Sequence, residues 1–145
     1  MSTIDLKWRD RDLTAKQLPR RFLDFIIDGQ SLYDQLGDLI SPLGWFPPKY
    51  HQVAIDRFLL LGPPDFPDGR RSICVCGECG DLGCGALAAV IENVGDRIVW
   101  KDFKYQNNYD PDIGYVDGDY SHLGPFSFDV DQYIDTIRKA VTLYR

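Results

Sequence analysis

The chain has 145 residues, 44% hydrophobic and 13% aromatic, a size and composition that suit one domain with a full core and exclude intrinsic disorder. Sixteen Lys and Arg against 22 Asp and Glu leave a net charge of -6, which repels phosphate backbones and anionic membranes and argues against nucleic acid as a partner. The start has no basic run followed by an apolar stretch, and nothing approaches the roughly 18 apolar residues of a membrane span, so a cytoplasmic protein is expected.

No repeat, low-complexity tract or linker divides residues 1–145, which therefore form one domain. Ile4, Leu6 and Trp8 alternate with polar residues, the period-two pattern of a half-buried strand. A second apolar run, Phe22 to Ile27, stops at the turn pair Asp28-Gly29. Ser31 stands where a helix N-cap belongs, and Leu32, Leu36 and Gly37 suit a short helix with a glycine end. Pro48 fits the first turn of a helix reaching Leu60, because its missing N–H is not needed there. Tyr50, Val53, Ala54, Arg57 and Phe58 give that helix one mostly apolar face.

After a proline-rich connector, three strands are expected at Arg71–Cys76, Ala86–Val94 and Arg97–Tyr105, the last two joined as a hairpin through Val94-Gly95-Asp96. Asp129 caps a final helix, with Gln132 at the capping-box position and Val130, Tyr133, Ile137, Val141 and Tyr144 on one stripe. These elements predict an α+β fold: a mostly antiparallel sheet centred on residues 71–105 with helices packed on it.

All four cysteines, Cys74, Cys76, Cys79 and Cys84, fall in one short run dense in glycine, unlike a secreted disulfide framework, which spreads its cysteines to staple distant loops. Cys76-Gly-Glu-Cys79-Gly has the form of half a zinc knuckle, but the second pair that usually completes a tetrahedral site is missing. Cys74, His51 or His122 would supply the fourth ligand of a Zn2+ site. The competing reading is a set of buried structural thiols, since reduced Cys packs like a small hydrophobe. Redox chemistry is a third, because a C-x-x-C outside a thioredoxin-like setting is a weak signal for it.

Three segments, Cys76 to Gly85, Ile98 to Phe103 and Gly124 to Tyr133, resemble a group of small bacterial proteins with a CxxCGDxGCG-like turn, a VxWxDF-like strand and a GPFxFDxxQY-like helix start. The resemblance covers about the C-terminal half, with a looser echo at Phe25 to Tyr33. It implies a fold more than an activity, and Cys74 falls outside the shared turn.

Asp110, Asp112, Asp117 and Asp119 crowd one loop with Tyr109, Tyr115 and Tyr120. EF-hand spacing fails there, since counting from Asp110 puts Gly114 at position 5 and Ser121 at position 12. Acids interleaved with tyrosines instead suit a surface for a basic protein, so Asp110, Asp112, Tyr115, Asp117, Asp119 and Tyr120 are the expected partner-binding residues. No phosphate-cradling glycine loop, nucleophile elbow or HxxxH pair is present. A non-enzymatic protein-binding module is therefore the leading expectation, in its sharpest form an immunity-type inhibitor of a basic bacterial toxin. A zinc-stabilised small domain and a cysteine-based or redox enzyme are the alternatives.

Overall fold

The computed structural model describes residues 1–12, 17–37, 39–107 and 120–144. Strands β1 (Ile4–Asp10) and β2 (Arg21–Ile27) pair antiparallel, and β3 (Gln30–Ser31) returns beside β2 through a turn at Asp28 and Gly29. Helix α1 (Leu32–Leu36) follows, capped by the Ser31 hydroxyl, which accepts from the Asp34 amide. A second sheet takes β4 (Leu39–Ile40), β5 (Arg71–Cys76), β6 (Ala86–Val94), β7 (Arg97–Gln106) and β8 (Phe126–Asp129) in that order, every neighbour antiparallel. Helix α2 (Pro48–Phe58) sits between β4 and β5, and α3 (Val130–Leu143) closes the described chain.

The fold is α+β, with the expected β5-β6-β7 meander at the centre of the larger sheet. The three-stranded sheet stands beside it. Both sheets turn a face to a shared core, where Leu6, Phe25 and Ile27 meet Leu87, Ile91, Trp100 and Phe128. Phe58 from α2 and Tyr133 and Ile137 from α3 fill the space between. Fully buried Trp100 is the hub, with the rings of Phe25, Phe58, Phe128 and Tyr133 at centroid distances of 5.3, 5.9, 5.3 and 6.0 Å. Its Nε1–H donates to the Tyr133 hydroxyl at 3.1 Å, which donates to the Phe58 carbonyl at 2.8 Å. Each polar atom of this apolar centre thus has a partner, as burial requires.

Two details depart from the sequence reading. On α2 the buried residues are His51, Ala54, Ile55 and Phe58, whereas Tyr50 and Val53 are exposed. The helix is rotated because His51 is satisfied inside: its Nε2 accepts the Gly44 N–H at 3.0 Å, and its ring stacks on Tyr144 at 4.0 Å. On α3, Asp129 caps by accepting the Gln132 N–H at 3.0 Å, but Gln132 does not return the bond. Its amide bridges to β1 instead, accepting from Ile4 N at 3.2 Å and donating to Ile4 O at 2.6 Å.

Tyr133→Phe removes the hydroxyl and strands both the Trp100 N–H and the Phe58 carbonyl, so it is expected to cost about 3 kcal/mol. Urea unfolding should show a lower midpoint at unchanged slope. Burial holds the His51 pKa below its ordinary value. Its contribution to stability is then present above about pH 6.5, the unfolded value, and lost as pH falls through the folded one. Thermal midpoints recorded between about pH 7.5 and pH 5 should fall more steeply for the native chain than for His51→Gln, which cannot titrate.

Candidate metal centre

Between β5 and β6 the chain reverses within residues 77–85. The reversal starts where Gly80 N–H donates to Cys76 O at 2.9 Å. Asp81 then caps a single 3-10 turn, Leu82–Cys84, by accepting the Gly83 N–H at 2.9 Å. Two glycines are required by their surroundings. Gly80, at φ +66, lies against Phe46 and Trp45, and a Cβ there would come within 2.8 Å of the Phe46 ring. Gly85, at φ +101, leaves room for the Tyr105 hydroxyl, which donates to the Cys84 carbonyl at 2.8 Å.

The front of the turn is gripped by two arginines from the smaller sheet's end of the chain. Arg20 donates through Nε to Gly77 O and through Nη2 to Glu78 O, both at 2.9 Å, while its guanidinium lies 4.7 Å from the Trp45 ring. Arg11, almost wholly buried, donates to Glu78 Oε1 at 2.8 Å. The Leu18 amide and then Arg11 hold the Glu78 carboxyl below its usual pKa.

Within this frame the sulfurs of Cys76, Cys79 and Cys84 all lie within 4.8 Å of one another. Among the described residues this is the one cluster of three potential ligand side chains, and its soft thiol donors suit a thiophilic ion. Cys79 Sγ and Cys84 Sγ are 2.8 Å apart and both residues are exposed; Cys76 is half-buried. Burial opposes ionisation of Cys79, but hydrogen bonds from Cys84, the Asp81 amide and Cys76 outweigh it and bring its pKa below that of an ordinary thiol. Cys84 moves the other way, to about 12, first because its S–H is held by Cys79 and then through burial. Cys79 therefore ionises before Cys84.

Cys74 does not join them. A β-bulge between Ser72 and Cys74 turns Ile73 and Cys74 to the main core together, and burial raises the Cys74 thiol well above its usual pKa. The expected set of four thiols is thus three around the turn and one structural thiol in the core. Neither histidine completes it: His51 is engaged by Gly44 and Tyr144, and His122 is exposed beyond the cluster.

Of the expected partner-binding residues, Asp110, Asp112, Tyr115, Asp117 and Asp119 lie outside the described residues. Tyr120 is described, and it packs half-buried against the main core. Arg11 and Arg20 were not legible as site residues, since their partners lie 67, 57 and 58 positions away.

Compared with known protein families, curated proteins and solved structures, the chain matches none. No helix among the described residues is long and apolar enough to cross a membrane.

Gly85→Ala forces a side chain into a left-handed conformation against the Tyr105 hydroxyl, and is expected to cost on the order of 2 to 3 kcal/mol. Denaturant titration checks the loss, and circular dichroism at low denaturant should show the sheet retained.

Proposed function

We propose that this chain is a zinc-binding domain in which Cys76, Cys79 and Cys84 hold one Zn2+ and so fasten the β5–β6 turn. The observation that carries this reading is the convergence of the three sulfurs within 4.8 Å on a turn whose backbone is already held by other groups. Zinc is favoured among metals because thiolates are its preferred soft ligands and the site offers no carboxylate or imidazole in the cluster. Three protein ligands leave one tetrahedral position to a donor from outside this set. Arg20 and Tyr105 hold backbone carbonyls of the turn that carries the ligands, as supporting groups that orient a metal site do.

An immunity-type inhibitor of a basic toxin remains compatible with a zinc-fastened scaffold. Its support is the charge of -6, which speeds encounter with a cationic partner.

Protein purified without chelator is expected to carry about one equivalent of zinc by elemental analysis, and chelation should lower its thermal midpoint. Cys76→Ser, Cys79→Ser and Cys84→Ser should each lose the metal, whereas Cys74→Ala should keep it. Arg20→Ala, which leaves every sulfur in place, should weaken zinc binding by about 10-fold or more in a competition titration. Metal-free wild-type protein that also fails to take up added zinc would sink the reading.

A further inference from the structure

The reactive face of the turn is narrower than the three-thiol cluster. Cys79 and Cys84 are the exposed members, their sulfurs 2.8 Å apart, with Cys76 half-buried and Cys74 sealed in the core. A disulfide needs an S–S distance of about 2.05 Å. Two thiolates on one tetrahedral zinc stand about 3.8 Å apart, from a Zn–S bond of about 2.3 Å. The observed pair lies between these values, so a movement of roughly 1 Å reaches either one.

The backbone on each side is anchored while the sulfurs face outward. Gly80, next to Cys79, rests on Phe46 and Trp45, and the Cys84 carbonyl is held by Tyr105. The backbone flanking the two sulfurs is thus held while they stand 2.8 Å apart.

We propose that Cys79 and Cys84 form a reversible disulfide on reaction with a hydroperoxide, and that closing this bond expels the metal. Only the expulsion rests on the zinc reading; the disulfide stands on the sulfur geometry alone. In the first step the Cys79 sulfur attacks the terminal peroxide oxygen. An S–O bond forms, the O–O bond breaks, and the leaving oxygen takes a proton and departs as water, or as an alcohol from an organic peroxide. Cys84 sulfur then attacks the Cys79 sulfur. The S–S bond forms, the S–O bond breaks, and hydroxide leaves as water with the proton from Cys84. Two thiols lose two electrons and one peroxide gains them. Cys76 alone remains as a thiolate ligand, too few to retain the ion, and a dithiol reductant restores the pair by exchange.

The experiment treats metal-free and zinc-loaded protein separately with equimolar hydrogen peroxide, and follows intact mass, peptide mapping and a chromogenic zinc chelator. Metal-free protein is expected to lose two hydrogens in mass, with the crosslink mapping to Cys79 and Cys84 and reversing with dithiothreitol. Zinc-loaded protein should release one zinc for each crosslink. Cys84→Ser should stop at a sulfenic acid on Cys79 that dimedone traps, and circular dichroism confirms that this variant is folded.

A crosslink mapping to Cys76, or oxidation to sulfinic acid with no crosslink in wild-type protein, would overturn the disulfide. A crosslink that forms while zinc stays bound overturns the expulsion. If the protein never binds zinc yet forms the Cys79–Cys84 crosslink, the zinc reading falls and the disulfide stands.

Discussion

The hydrogen-bonded relay from Trp100 through Tyr133 to the Phe58 carbonyl is the constraint on which the molecule turns. It ties β7, α3 and the end of α2 at one buried point, where a missing partner would leave a desolvated N–H or carbonyl. Packing alone would let α3 slide along the sheet, since apolar contact is indifferent to direction. The relay permits one register. Gln132 and Thr136 add a second tie by meeting the Ile4 carbonyl, so that α3 fixes the first strand as well as the central sheet.

The position of the cysteine turn follows from that placement. With α3 fixed, Tyr144 stacks on His51 and donates to the Phe46 carbonyl at 2.6 Å, which sets the aromatic pair Trp45 and Phe46. That pair is the floor on which Gly80 rests and, through Trp45, the surface on which Arg20 lies. The turn is therefore held from below by rings, from the front by Arg11 and Arg20, and from behind by Tyr105. A loop of four glycines among residues 77–85 would otherwise lose much conformational entropy on being ordered. Here the surrounding side chains meet that cost before any ligand arrives.

Much of the backbone was legible from local pattern. The runs 71–76 and 86–94 become strands with the expected limits because β-rich apolar segments end at glycine-bearing turns on both sides. Phe126–Asp129 was hidden because the same residues lead into the Asp129 cap, and a helix start outweighs four residues of strand signal. The α2 face was misread because His51 counts as polar in any periodicity, while its real environment is set by Gly44 and Tyr144. Within the site, the clustering of thiols was plain from spacing. Which three converge was not, because the bulge at Ser72 and Cys74 arises from pairing with β6, and period-two counting puts Cys74 and Cys76 on one face.

That bulge also gives the molecule an internal clock. Cys74 is 2% exposed and sits among core residues of the central strands, so an alkylating reagent reaches it only when the larger sheet opens. Where opening and reclosing are fast relative to the chemistry, its modification rate divided by that of a free thiol equals the equilibrium constant for opening, and where reclosing is slow the modification rate itself equals the opening rate. The native sequence thus carries its own probe of core breathing, separated from the three outer sulfurs by a single irregularity in one strand.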